Sequence, residues 1–453
     1  MTADIDDLAG DPVGRRQMIT AIMASSLGWS LDLFDLFILL YVAPVIGKLF
    51  FPSTVPTLSL AAVYASFAVT LLMRPVGSAL FGSYADRHGR KGAMIVAVIG
   101  VGVSTALFGA LPTINQVGFA APIIFLALRL VQGIFVGGVV ASTHTIGTES
   151  VPEKWRGAMS GLIGGGGAGI GALLASLVYL ATTEIFPGDA FAVWGWRCMF
   201  FSGILSAVLG VFIFGRLEES PIWARLKQQK AALGAKVVIQ SPVRTLFSRE
   251  YREILLVNVL LSTGGGAGYY LTSGYLPTFL KVVNGISSRD DSMILIIASL
   301  VAIVAAISVG HISTLWGRRK TFIAIGLLRL VCLPVCFIMM GRADGDVIEI
   351  AAFAILLSFL GNSGYAPLLI FLNERFPTAL RSTGTGISWN IGFAIGGLMP
   401  TLVSLAAPTT DSLPMVLSLF LVGISVIFLI GAYLAPETRG NLISADLGRP
   451  VNA

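Results

Sequence analysis

The decapeptide Gly82-Ser83-Tyr84-Ala85-Asp86-Arg87-His88-Gly89-Arg90-Lys91 decides the reading of this chain. It sets one acid, three fixed cations and two glycines between apolar runs at 58–82 and 92–112. Each run matches the roughly 20 apolar residues that a membrane-spanning helix needs. A degenerate copy, Gly310-His311-Ile312-Ser313-Thr314-Leu315-Trp316-Gly317-Arg318-Arg319, stands between two later runs, with Gly317 in the place of Gly89. A second element is also doubled. Glu149-x-x-Pro152-x-x-x-Arg156 returns as Glu374-x-x-Pro377-x-x-x-Arg381 at nearly the same offset, and Glu219-Ser220 is echoed by Glu437-Thr438 at a slightly shorter one. The chain is an internal duplication.

Working outward from these loops, apolar stretches fall near 18–46, 58–82, 92–112, 120–147, 157–181 and 197–215. A second set falls near 253–280, 292–313, 320–340, 348–372, 383–407 and 415–435. The composition agrees: of 453 residues, 55% are hydrophobic and only 12% charged, against about 25% charged in a soluble protein. The expected architecture is an all-α membrane protein of twelve transmembrane helices. Six spans at 1–215 form one bundle, residues 216–252 a cytoplasmic linker with a short surface helix, and 253–453 a second bundle. Six is even, so the repeats run parallel, with a site between them.

The net charge of +6 suggests a nucleic-acid binder only until the bases are located. With the N-terminus inside, 22 of the 30 lysines and arginines fall on the cytoplasmic side, 5 outside and 3 within spans. This bias places both termini in the cytoplasm and accounts for the basic charge without nucleic acid. The expected partners are the lipid bilayer and a small solute. Four aspartates precede the first apolar run, which is too long for a signal peptide. The cysteines, Cys198, Cys332 and Cys336, sit in or beside apolar stretches and define no disulfide framework.

Several chemistries lack their residues. Gly164 to Gly167 could cradle phosphate only if a Gly-Lys-Ser/Thr followed, and no lysine does, so close helix packing is the better reading. There is no HExxH, and His88, His144 and His311 all lie at span ends, where each is expected to be interfacial. Neither a metalloprotease nor a serine hydrolase can be assembled. The chain is expected to be no enzyme and to need no cofactor or metal.

The loop at 82–91, with its copy, resembles the signature loop of the major facilitator superfamily. Arg129-x-x-Gln132-Gly133 is similar to that superfamily's second motif. Glu219-Ser220-Pro221 and Pro436-Glu437-Thr438-Arg439-Gly440 look like marks shared by its sugar porters and metabolite:proton symporters. The resemblance covers the whole chain. It implies alternating access, with Gly82, Asp86, Arg87, Gly89, Arg90 and Lys91 forming a gating latch on the cytoplasmic side, and Thr314 leaving the second copy without its acid. It also implies that spans one, four, seven and ten line the cavity, which favours Gln132, Tyr270, Asn362 and Tyr365 as substrate contacts over Trp389 and Asn390. Span five lacks the Gly-Pro pair of the superfamily's drug/proton antiporters.

The charges inside spans carry the rest. Asp32 and Asp35 are the acids near mid-membrane and, three apart, share a helical face. Intramembrane acids are costly and mark ion or proton pathways, so these two are the expected proton carriers. Asp35 lies about 4.5 Å outward of Asp32 along the helix, a depth that Arg129 in span four could match. Arg129 is the expected anion-binding group, since a guanidinium holds a carboxylate bidentately. Arg74, before Pro75, is expected to be structural, and Arg329 falls near the middle of span nine. Trp29-Ser30-Leu31-Asp32-Leu33-Phe34-Asp35 resembles the first span of carboxylate symporters such as lactate and pyruvate carriers. The expectation is a monomeric, proton-coupled symporter of a small organic anion in the cell inner membrane. A sugar or polyol symporter is the nearest alternative, and a transporter-like receptor a more distant one.

Overall fold

A computed structural model describes residues 15–54, 56–215, 242–343, 345–440 and 442. Twelve helices among them are long and apolar enough to cross a membrane. In the first half these are α1 (Met18–Phe50), α2 (Leu58–Ala85), α3 (Lys91–Gly109), α4 (Ala120–Glu149), α5 (Glu153–Ile185) and α6 (Phe191–Phe212). The second half holds α7 (Arg249–Val282), α8 (Arg289–Trp316), α9 (Arg318–Arg342), α10 (Val347–Glu374), α11 (Arg381–Ala406) and α12 (Thr410–Leu434). The described residues contain no strand. Their large apolar side chains are exposed on the outer faces, as Leu80, Ile123, Val304 and Leu419 are, because lipid replaces water there. Of the expected linker, 216–241 lies outside the described residues, and its end forms a short helix at Pro242–Leu246.

The repeat governs how the halves join. α2 packs on α11, and α5 on α8, which are equivalent pairs when one half is laid on the other. Small residues allow the approach. A methyl group at Gly161 would lie 2.0 Å from the Ala306 carbonyl oxygen, and one at Gly310 2.3 Å from that of Gly157. The glycine-rich start of α5 is thus a packing surface. Gly89 and Gly317, at φ 111° and 101°, make the matching turns of the two loop copies, a backbone that other residues rarely adopt.

Helical regularity is interrupted around the centre. α5 widens into a π-turn at Leu162–Gly166 and α7 into another at Tyr270–Gly274. α10 leaves helical geometry after Ser363 and resumes at Leu368, behind Pro367, which has no N–H to continue the ladder. Such breaks at membrane depth occur where backbone faces protein or a cavity. They frame the site.

Candidate functional site

Both ends of the interface between the halves are shut. On the side of the signature loops, Arg381 Nη1 donates to Glu149 Oε1 at 2.7 Å. Asn373 Nδ2 donates to the His144 carbonyl and to Thr148 Oγ1, both at 2.8 Å, and Ser160 Oγ donates to the Ala366 carbonyl at 2.7 Å. At the far end, Tyr64 and Thr278 share a hydrogen bond of 2.6 Å, and Tyr64 stacks on Tyr275. Lys281 donates to the Tyr179 hydroxyl and pairs with the buried Asp291 at 3.6 Å. Between them remains a cavity of about 20 Å³ bordered by Tyr41, Tyr269, Ser273, Ser299, Ser358 and Asn362, room for one water. The conformation is occluded.

Polar groups without partners cluster at this level. Arg74 Nη2 lies 3.7 Å from Asp32 Oδ2, and both side chains are almost wholly buried. Neither Asp32 oxygen accepts a hydrogen bond, and Arg74 Nε and Nη1 donate none. The hydroxyls of Tyr269 and Tyr270, Trp389 Nε1, Asn390 Oδ1 and His144 Nε2 are likewise unpartnered. Ring contacts connect this set. Tyr269 meets Tyr270 and Tyr365 at 5.4 Å, Tyr365 meets Trp389 at 6.1 Å, and Trp389 meets His144 at 4.6 Å. Buried polar groups in proteins are almost always paired. The run of unpaired ones between the two closed gates is the candidate site.

Several expectations need correction on this geometry. Asp35 and Arg129 form no ion pair among the described residues; Arg74 takes the acid of α1 instead, at Asp32. Asp35 faces inward among Val98, Val101, Val139 and Ser206 of its own half. Arg129 is stacked 4.2 Å over Phe108 and donates to Gln132 Oε1 at 2.8 Å, and Gln132 donates to Thr105 at 2.7 Å. Arg129 and Gln132 thus belong to the interior of the first bundle. Both faces turn toward α3, where Arg129 is held by Phe108 and Gln132, and Asp35 lies against Val98 and Val101. His144 is not interfacial; it is fully buried between Trp29 and Trp389. His88 and His311 do sit at the loops, stacked on Tyr84 and Trp155.

The other expected contacts fall as follows. Tyr270 reaches Phe67 of α2 across the interface. Tyr365 donates to Asn362 Oδ1 at 3.1 Å, and Asn362 donates to Ser273 at 3.1 Å. Trp389 and Asn390, ranked lower by resemblance, also reach the interface, where Asn390 donates to Ser78 of α2 at 2.6 Å. In the signature loop, Gly82 is buried and Lys91 Nζ donates to the Gly215 carbonyl at 3.1 Å. The side chains of Asp86, Arg87 and Arg90 lie outside the described residues. The second copy is locked by its own network. Glu437 accepts from the amides of Arg318 and Arg319 at the N-terminus of α9, at 2.8 and 3.3 Å, as an acid at a helix start should. Arg318 grips Glu374 with two bonds, and Thr438 donates to the same carboxylate at 2.7 Å. The Pro-Glu-Thr mark is therefore a clasp on the degenerate loop.

Twelve spans in two parallel halves, gated at both ends around a buried polar centre, define a membrane transporter rather than an enzyme. The chain belongs to the Major Facilitator Superfamily, whose pattern it matches over residues 17–400. It is 28% identical over 435 residues to the inner membrane metabolite transport protein YhjE of Escherichia coli, covering 94% of this chain and 96% of that one. It is 30% identical to the proline/betaine transporter of Salmonella typhimurium over 92% of this chain and 83% of that one. Among solved structures, the proton:xylose symporter XylE bound to 6-bromo-6-deoxy-D-glucose superposes with a TM-score of 0.70 at 20% identity, covering 95% of this chain and 99% of that one. The protein is a multi-pass component of the inner membrane.

Proposed function

We propose that this transporter carries a small carboxylate-bearing solute together with a proton, with Arg74 holding the carboxylate and Asp32 the proton. The observation that carries the reading is the loose Arg74–Asp32 pair at 3.7 Å, in which the acid accepts no hydrogen bond and the guanidinium keeps two nitrogens free. A substrate carboxylate can take Arg74 bidentately. Asp32 then loses its counter-ion in a buried place, where a bare charge is costly, and a proton removes that cost. Anion binding and protonation therefore favour each other, and the coupling is reciprocal. Asp35, buried beside Ser206, is a reserve site for the same proton, and Arg129 sets the charge around it. The carrier runs with the loop side in the cytoplasm, as the distribution of bases supports, and works as a monomer. A monocarboxylate such as lactate or pyruvate fits this reading.

A second reading rests on the wall facing Arg74. Tyr269, Tyr270, Tyr365, Trp389 and Phe393 form a continuous aromatic surface, and aromatic faces bind ammonium groups. A zwitterion with a carboxylate at one end and a cationic nitrogen at the other would use both walls. The relatives named as proline/betaine transporters agree with it. Uptake of labelled lactate, pyruvate, proline, glycine betaine and xylose into proteoliposomes, with and without a pH gradient, separates the two. Acid-driven uptake of xylose alone would overturn both.

A further inference from the structure

His144 is a buried titratable group at the centre that this scheme leaves idle. It lies on α4 five residues before Glu149, between the polar centre and the closed gate on the loop side. Its ring meets Trp29 of its own half at 4.9 Å and Trp389 of the other at 4.6 Å, edge to face in both cases. The backbone is fixed as well, because Asn373 of α10 donates to its carbonyl.

The hydrogen bonds favour one tautomer. Thr143 Oγ1 donates its only proton to the Val139 carbonyl at 2.8 Å, so toward His144 Nδ1, at 3.1 Å, it can only accept. Nδ1 therefore carries the hydrogen, and Nε2 presents a bare lone pair. That lone pair is buried and meets no donor. It is a base without a proton, and Trp29, which packs on its ring, stands one turn of α1 before Asp32.

We propose that His144 relays the coupling proton from Asp32 to the loop side. When substrate leaves, Arg74 recovers Asp32 as its partner, and the carboxylic acid gives its proton to His144 Nε2. Asp32 becomes the carboxylate and His144 the imidazolium. The two indoles, centred 4.9 and 4.6 Å from the ring, can hold that cation. Arg74 on α2 is the charged group that opposes it, and its pairing with Asp32 offsets that opposition. The residues that meet the ring from α1 and α11, Trp29 and Trp389, and Asn373 of α10 on its carbonyl, do not ionise. Separation of the halves on the loop side removes Trp389, wets the ring, and lets Nε2 return the proton to water. His144 is a positioning and relay residue whose role rests on Asp32 being the coupling acid.

The test compares His144→Gln with Asp32→Asn in proteoliposomes. In H144Q, pH-driven net uptake should fall about tenfold or more beyond any loss of counterflow, the scale of losing a placed acid-base group. Its net rate should also lose the dependence on loop-side pH across the imidazole range. His144→Gly should regain net uptake when imidazole is supplied, which keeps the test open if H144Q inserts poorly. Unchanged net uptake and pH profile in H144Q, or an equal loss of counterflow and uptake without imidazole rescue, overturns the relay. If D32N loses accumulation while H144Q keeps it, the relay alone fails. If D32N keeps accumulation, the coupling reading fails and takes the relay with it.

Discussion

Glu149 and Arg381 come from different copies of the doubled Glu-x-x-Pro-x-x-x-Arg element and meet across the two halves at 2.7 Å, neither side chain exposed. The symmetry is broken at the counterpart. Glu374 is turned to Arg318 and Thr438 within its own half. The first copy's acid therefore closes the gate on the second copy's arginine, and the second copy's acid braces its own bundle.

Removing one partner of a buried pair costs about 3–5 kcal/mol, because the remaining charge is stranded. Glu149→Gln should therefore open the loop side. Ser382, buried at that gate, offers the reporter: in a background without Cys198, Cys332 and Cys336, S382C should label faster when E149Q is present. The double variant E149Q/R381Q should label less than E149Q alone. Equal labelling in all three would reduce the pair to a local brace.

Arg74→Gln should raise the substrate KM roughly ten- to hundredfold, the worth of a hydrogen bond to a charged group, and leave protein yield largely intact. Asp32→Asn should abolish uphill accumulation yet spare counterflow, which moves no net proton. The measurement is initial-rate uptake and counterflow in the same vesicles. An R74Q protein with normal KM would remove Arg74 from the substrate, and a D32N protein that still accumulates would remove Asp32 from coupling.

The doubled loops and apolar runs are local signals, so twelve helices and their duplication into two halves were legible in the sequence. Which way a helix face turns is a tertiary matter. Asp35 and Arg129 both face the interior of the first bundle, but Arg129 is stacked on Phe108 there and pairs with Gln132, and nothing local records those contacts. Arg74 was passed over because a base before proline reads as structural, although its place in an otherwise apolar run was the available signal. His144 was misplaced for a related reason: five residues from a helix end is interfacial in an isolated helix, but here the other half covers it with Trp389 and Asn373.

If the substrate is a monocarboxylate carried with one proton, the pair is electroneutral. Each pH unit then supplies about 1.36 kcal/mol, a tenfold accumulation, and membrane voltage adds nothing. A zwitterion carried with one proton moves a net charge instead. Uptake driven by a potassium diffusion potential at zero pH gradient distinguishes them. A voltage response would exclude the one-proton monocarboxylate and favour the zwitterion.

Arg329 is a buried base of another kind. It is a fully buried guanidinium on α9 that donates to the Gly264 carbonyl at 3.2 Å, lies 5.0 Å over Phe428, and pairs with no carboxylate among the described residues. Glycines make its slot. A methyl group at Gly268 would lie 1.5 Å from Nη2, and one at Gly364 2.1 Å from Nη1. Gly268 is two residues before the π-turn of α7, and Gly364 begins the break in α10, so the guanidinium touches both irregular segments from behind. Gly268→Ala should therefore destabilise strongly, since the charge cannot leave for water at this depth without cost. Arg329→Met, of similar length and uncharged, should be tolerated or stabilising, as replacement of buried charge by apolar volume often is. The two changes share one space, so they should not add: G268A should cost much less in the R329M background than alone. Thermal unfolding of the four proteins in detergent reads this directly. An equal cost of G268A in both backgrounds would show that the glycine serves helix packing and not the arginine.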